Sequence, residues 1–282
     1  MDGSVTGAAS KPINDRFFIR WAVLLLYKLL HLPFVPRLFP RAGIVLFLPM
    51  GVCIKASVFT SLAEASAMVF VAQNTSVPVP KVYSAFKHKE ATYIVMERVG
   101  GKALVEGWRL RTAESQARVL ASLRDMILQL RQIPAPAGCG VSNVDGGQIY
   151  DPRLPGEKHW GPFRTVQDFH AKLRGYLDEP VNQGIPLPGF ERLIAFHRQS
   201  PPDVVFTHGD LSSLNIIARG DEVVSIIDWE TAGWMPPYWE YTSSCNVNPY
   251  NEFWREEIDK FLEPLPEALD AETIRRRYHG DF

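Results

Sequence analysis

Asp210, Asn215 and Asp228 stand in one stretch, VVFTHGDLSSLNIIARGDEVVSIIDWE (Val204–Glu230), and their types suit cation and phosphate chemistry. Val204–Phe206 is a short apolar run of strand character, and Thr207–Leu214 is polar and turn-like. Asn215–Ala218 and Val223–Ile227 flank Arg219-Gly220-Asp221-Glu222, which reads as a hairpin. A hairpin symmetric about the Asp221–Glu222 bond sets Asn215 opposite Asp228, with Cβ atoms about 4.5–5.5 Å apart. Two oxygen donors so placed suit Mg²⁺, which takes oxygen ligands at about 2.0–2.1 Å and shares its shell with phosphates. Asp210, on the loop just before, is placed to present a base to a substrate. Asp and Asn also favour turns for local reasons, so no single residue carries this reading. The combination carries it: His-Gly-Asp, an Asn five residues after the Asp, then a hairpin ending in Asp.

That arrangement, through HGDLSSLN and IIDWETAGWMPPYWEY, resembles the catalytic segment of the aminoglycoside phosphotransferase and choline kinase families, in their fungal type. The resemblance covers roughly Gly43–Tyr241. It implies an α+β, bilobal, protein-kinase-like fold, with a small mostly β N-lobe (1–98, nucleotide side) and a larger mostly α C-lobe (99–282, substrate side). In kinase logic the loop Asp is the base, and the Asn and the hairpin Asp hold the metal. By resemblance these are Asp210, Asn215 and Asp228, with His208 grouped beside the base as a brace of the catalytic loop. ATP and Mg²⁺ are the implied cofactors, and a small molecule carrying a hydroxyl is the implied acceptor.

The elements that must position these residues lie upstream. Gly43–Leu48 and Val52–Ala56 read as strands around Pro49-Met50-Gly51, with Lys55 inside the second. Ser61-Leu62-Ala63-Glu64 has capping-box spacing, and Leu62, Ala65, Met68, Val69 and Ala72 form an apolar arc. Glu64 is thus either a cap or an inward-facing partner. IKAS followed by EASAM resembles the family's strand Lys and helix Glu, which assigns Lys55 to the phosphates and Glu64 to Lys55. Lys81–Phe86 and Thr92–Glu97 read as the last strands of the first lobe. YIVMERVGG resembles the hinge, where the backbone of Glu97 and Val99 holds adenine. Compared with the family, no glycine-rich loop precedes Lys55, and the first strand pair reads as missing, with Phe17–Leu32 in its place.

In the second lobe, Thr112–Gln132 follows a helical period through Val119, Leu120, Leu123, Met126, Ile127 and Leu130, stopped by Pro134. Pro134–Gly161 reads as a loop, long enough to line a substrate site. Thr165 and Asp168 have box spacing at the next helix. Trp234, Tyr238, Trp239 and Tyr241 read as core, and Arg275, Arg276 and Arg277 as a solvated helix end.

Composition bounds the rest. The 282 residues are 46% hydrophobic and 22% charged, with a net charge of -1, which argues against a general nucleic-acid binder. Cys53, Cys139 and Cys245 form neither a metal pattern nor a disulfide framework, which fits a cytoplasmic protein. Met1–Asp15 reads as a disordered start. Phe17–Phe39 is very apolar, but Arg20, Lys28, His31 and Arg37 interrupt it, short of the roughly 18 uncharged residues of a transmembrane helix. Phe17–Leu32 reads as an amphipathic helix. Its face of Trp21, Leu24, Leu25 and Leu29 is expected to pack on this chain, and Arg20, Lys28 and His31 to form the exposed stripe. Peripheral membrane contact through that helix is the rival. Two functions follow: an ATP-dependent small-molecule kinase, or a kinase-shaped protein that binds a ligand or partner without phosphorylating it.

Overall fold

The computed structural model describes residues 9–30, 32, 39–178, 181–182, 185–246 and 249–279. Helix α1 (Phe17–Leu30) leads into five strands: β1 (Arg41–Ala42), β2 (Val45–Leu48), β3 (Val52–Ser57), β4 (Val82–His88) and β5 (Ala91–Glu97). They form one antiparallel sheet in the order β1-β2-β3-β5-β4. Helix α2 (Leu62–Asn74) connects β3 to β4. Alternation along β3 sends Cys53 and Lys55 to the cleft face, and sends Ile54 and Ala56 to the face shared with Tyr93. Tyr27 of α1 meets Tyr93 edge-on at 5.3 Å, so α1 lies on the face away from the cleft. With both faces covered, β3 tolerates an almost continuous apolar run.

The second lobe is mostly helical. It holds α3 (Ala113–Gln132), α4 (Val166–Leu173), α5 (Phe190–Gln199), α6 (Trp239–Cys245), α7 (Arg255–Phe261) and α8 (Pro266–His279). Short strands fill the gaps: β6 (Lys102–Ala103), β7 (Ser142–Asn143), β8 (Ile149–Tyr150), β9 (His159–Trp160), β10 (Val181–Asn182) and β11 (Ile185–Pro186). The functional stretch supplies β12 (Val205–Thr207), β13 (Ile216–Arg219), β14 (Glu222–Ile226) and β15 (Gly233–Met235). β13 lies between β14 and β6, and β15 between β12 and β7. Val119, Leu120, Leu123, Ile127 and Leu130 bury the period read in α3, each worth about 1.5–3 kcal/mol. Thr112 caps α3, and Thr165 with Asp168 closes a full capping box on α4. Trp234, Tyr238, Trp239 and Tyr241 are core. The architecture is the bilobal α+β arrangement expected.

Several expectations are corrected. Residues 9–15 do not trail away: Ile13 pairs with Ala85 through two backbone hydrogen bonds at 2.8 and 2.9 Å, adding a bridge beside β4. The first strand pair is present as β1–β2 alongside α1, because two residues suffice for a hairpin arm when β3 extends the sheet. Arg275 is only 2% exposed, held by Glu272 at 2.6 and 2.8 Å, whereas Arg277 is exposed. In α1 Arg20, expected on the exposed stripe, turns inward beside Tyr27 and Leu30, 5.2 Å over the Phe86 ring and paired with Asp15. Trp21, Leu25 and Leu29 face outward and Leu24 is half-buried; Lys28 is exposed as expected, and His31 lies outside the described residues. The inward arc of a helix lying flat on a sheet is narrow, and Tyr27, Leu30 and the Arg20 stem fill it.

One core contact sets a pH dependence. The rings of His170 and His197 stack at 4.0 Å, and His170 Nε2 meets the Tyr238 hydroxyl at 2.8 Å. Burial pushes His170 down to about 4 and His197 down to about 2. Both are therefore neutral when folded, whereas an unfolded imidazole titrates near 6.5. Their stabilisation is complete above that value and is lost as pH falls toward 4. His170 alone accounts for roughly 3 kcal/mol of that loss. Thermal melts between pH 7 and pH 4 should show it, and His170→Gln should flatten the slope. A flat wild-type profile would refute the assignment.

Candidate active site

The loop between β12 and β13 is pinned by four hydrogen bonds from three residues. The amides of His208 and Gly209 donate to the buried Glu240 carboxylate at 2.7 and 3.0 Å. The Thr231 hydroxyl donates to His208 O at 2.9 Å, and the Trp254 indole to Leu211 O at 3.1 Å. Gly209 adopts φ +81, and a Cβ there would lie 3.0 Å from Thr231 O, so only glycine fits. His208 is fully buried against Trp229. Its Nε2 lies 3.0 Å from Ile227 O, and its Nδ1 accepts the Asp210 amide at 3.1 Å. Both nitrogens are committed to backbone. His208, grouped with the catalytic residues from sequence, thereby ties the backbone just past the end of β14 to the Asp210 amide.

Asp210 is half-exposed on this rigid support. Asn215 Nδ2 donates to Asp210 Oδ2 at 2.8 Å and to its carbonyl at 2.9 Å, which leaves the Asn215 amide oxygen as an acceptor. Arg153 Nη1 lies 3.5 Å from Asp210 Oδ1, and buried Asp151 orients that guanidinium at 2.7 and 2.8 Å. Ser212 and Ser213 are buried turn residues: Asn215 N donates to Ser212 O at 3.0 Å and Val105 N to Ser213 O at 3.1 Å. Sequence reading missed Asp151, Arg153 and Glu240. The first two lie in the stretch read as loop, and no local spacing links any of the three to the catalytic segment.

The hairpin register differs from the symmetric expectation. Arg219 pairs with Glu222, so the turn is Gly220-Asp221, with Gly220 at φ +59. A bulge follows, and Ile216 pairs with Ile226. Asn215 O accepts from Ile227 N at 2.9 Å, and Asp228 lies one residue beyond. Asp228 adopts φ 65, ψ 61, a left-handed conformation uncommon for a non-glycine residue. Its Oδ1 lies 2.7 Å from Lys55 Nζ.

Lys55, placed by β3 between Val45 and Ile94, also meets Glu64 at 2.9 Å and Glu230 at 3.3 Å. Burial disfavours its charge, but Glu64, Asp228 and Glu230 outweigh burial and raise its pKa. Burial pushes Glu64 up, to about 7, against the pull of Lys55. Ser61 caps α2 alone, through the Ala63 amide at 3.2 Å; Glu64 leaves the expected box and turns to Lys55. Oxygens of Glu64, Asp228 and Glu230 lie within 4.8 Å of one another, and Glu64 Oε2 is buried without a hydrogen-bond partner. A hard, all-oxygen, anionic set of this kind fits Mg²⁺. Glu230 was not read as a site residue; only its place two residues after Asp228 hinted at it.

A cleft of about 600 Å³ opens over this cluster, lined by Lys55, Glu64, Met96, Glu97, Val99 and Asp228 among others. The Glu97 amide donates to Lys81 O at 2.9 Å, and the Arg98 amide to Gly51 O at 2.8 Å. The turn that borders the cleft is Ala42-Gly43-Ile44-Val45, not Pro49-Met50-Gly51, which joins β2 to β3. A second cleft of about 610 Å³ shares Glu230 with the first and is lined by Ser61, Lys87, Asn143, Gln148, Tyr150 and His159.

Residues 59–279 match the sequence profile of APH, the phosphotransferase enzyme family. No curated protein matches the chain. Among solved structures, aminoglycoside phosphotransferase APH(4)-Ia is similar at TM-score 0.58 and 12% identity, over 90% of this chain and 88% of that one. A thermostable mutant of that enzyme, in a ternary complex with ADP and hygromycin B, gives TM-score 0.57 and 13% identity, over 84% and 82%. The streptomycin-ATP-APH(2")-IIa ternary complex gives 0.54 and 13%, over 85% and 82%. At such identities the likeness is one of fold.

Proposed function

This chain belongs to the phosphotransferase enzyme family, a kinase class acting on hydroxyl groups, and on that premise we propose that it transfers the γ-phosphoryl group of ATP to a small-molecule alcohol. The observation that carries the proposal is the convergence of Lys55, Glu64 and Asp228 within 3 Å contacts at one end of the nucleotide-sized cleft. In this reading residues 1–98 form the nucleotide side and 99–282 the substrate side. The Glu97 carbonyl and the Val99 amide hold adenine. Lys55 holds the phosphates, oriented by Glu64. Asp210 accepts the proton of the attacking hydroxyl, held in place by Asn215 and by the His208 brace. Asn215 and Asp228 would hold Mg²⁺, with Glu230 the next oxygen donor in reach. When bound, Mg²⁺ neutralises charge on the phosphates. Positioning and charge compensation by these residues are the main work in such transfers.

The clefts speak to the acceptor. The second one presents a single carboxylate, Glu230, beside Lys87. Such a lining does not suit a molecule with several ammonium groups, and favours a neutral or lightly charged alcohol. The three free thiols suit a reducing compartment, and we place the protein in the cytoplasm.

The test is transfer of label from γ-labelled ATP to a panel of hydroxylated metabolites, with and without a Mg²⁺ chelator. Mg²⁺-dependent label in an organic product supports the reading. Nucleotide binding with no transfer and no ATP turnover across the panel would favour a kinase-shaped binding protein. Lys55→Ala should raise the ATP concentration needed for half-saturation at least about tenfold, the loss of one charge-assisted contact. It also leaves Glu64, Asp228 and Glu230 without their shared cation. Added Mg²⁺ should therefore raise the melting temperature of Lys55→Ala more than that of wild type. Wild-type ATP saturation in the variant would refute the role.

A further inference from the structure

We propose that the outward face of α1 docks this protein on an anionic lipid surface, independently of what the active site does. The sequence FFIRWAVLLLYKLL has only Arg20 and Lys28 as charges and is apolar on all sides. A helix apolar all round needs a partner on every side. The sheet supplies one side, through Tyr27, Leu30 and the Arg20–Phe86 contact. On the opposite arc Phe17 is 74% exposed, Phe18 82% and Trp21 60%, and Leu25, Leu26 and Leu29 are 41%, 39% and 48% exposed. At 100° per residue these six fall in one contiguous half of the helix surface. Patches of this size on a soluble protein mark an interaction site.

As described, the 14 residues of α1 rise about 21 Å, short of a hydrocarbon core of about 30 Å. Among the described residues no helix is long and apolar enough to cross a membrane. A helix of this length with one exposed apolar face suits lying in the interface, with aromatic and leucine side chains in the headgroup region.

Charge selects lipid over a second copy of the chain. Between residues 9 and 42 the described acids reduce to Asp15, which pairs with Arg20. Arg16 and Lys28 at α1 itself, and Arg41, whose guanidinium donates to Leu30 O at 3.1 Å, are exposed beside the apolar arc. A two-fold dimer through this face would set the same three cations against their own copies, which is repulsive. Anionic headgroups complement them. The arrangement also suits a working enzyme. Docking through α1 leaves the cleft open, because Lys55 lies on the opposite face of the sheet.

Vesicle flotation of the full chain tests this, with phosphatidylcholine alone and with phosphatidylcholine mixed with phosphatidylserine, and sedimentation without vesicles as the control. Wild type should float with the phosphatidylserine vesicles and release at high salt. Lys28→Glu should weaken binding by about fivefold or more, the equivalent of at least one interfacial charge. The triple variant F18S/W21S/L25S should lose flotation while keeping wild-type melting and ATP handling, because all three side chains are exposed. Three outcomes would overturn the proposal. One is no flotation of wild type with either vesicle. Another is flotation that the triple variant or salt leaves unchanged. The third is a concentration-dependent dimer that the triple variant abolishes, with no vesicle binding, which would assign the face to self-association.

Discussion

Asp210→Asn is expected to lower kcat for phosphoryl transfer by about 10²–10⁴-fold, the usual contribution of a positioned general base. The substitution keeps size and shape and removes the negative charge and with it the ability to accept a proton, while Arg153 keeps Asp151 as its partner. Asn215 Nδ2 would then face an amide in place of the carboxylate oxygen that it meets at 2.8 Å, and a flipped amide still offers it an oxygen. The loop itself is held elsewhere, by Glu240, Thr231 and Trp254. Melting should therefore shift by no more than the ±0.5 kcal/mol typical of a surface change. Affinity for ATP should be unaltered, since Asp210 belongs to the acceptor side. Steady-state kinetics beside ATP titration separate the two. Undiminished kcat would remove Asp210 from the mechanism, and an unfolded variant would show that the loop depends on the carboxylate for its structure.

Asp228→Asn should be comparably severe, at about 10²–10³-fold in kcat, by a different route. It deletes a negative charge next to Lys55 at 2.7 Å and weakens one oxygen donor of the proposed Mg²⁺ set. Its signature is a shift of the Mg²⁺ concentration that supports half-maximal nucleotide binding, upward by tenfold or more, an effect Asp210→Asn should not share. The fold should survive, because the Asp228 side chain is partly exposed and buried Lys55 keeps Glu64 and Glu230 as partners at 2.9 and 3.3 Å. The left-handed backbone at Asp228 suits asparagine as well as aspartate. Full activity at ordinary Mg²⁺ would contradict the assignment of Asp228 as a ligand.

The positions of Asp210, Asn215 and Asp228 in one segment were legible because the spacing is local: a strand, a tight loop and a hairpin are all dictated by residues near in sequence. The same holds for the β3 lysine, the α2 cap, the period of α3 and the Thr165–Asp168 box. Local rules fix such features without knowledge of the partner. The register of β13–β14 was at the limit of that reach. Alternation specified two arms, but the choice of Gly220-Asp221 as the turn and the extra bulge residue moved the pairing by one, and a bulge interrupts the alternation from which register is read.

Other features belong to the tertiary structure alone. Glu64 could cap its helix or leave it, and only the approach of Lys55 across the sheet and of Asp228 from the other lobe decided between them. Glu240 reaches back about thirty residues to hold the His208 and Gly209 amides, and Arg153 arrives at Asp210 from a stretch that reads as featureless loop. Arg275 looked solvated from its neighbours, yet its helix turns it into the core beside Glu272. For α1 the composition required apolar burial but did not say how much of the helix the sheet could cover. A flat sheet covers one side of a cylinder, so the opposite side stays exposed. Sequence determined which side chains need a partner; the packing of distant elements decided which of them find it within the chain.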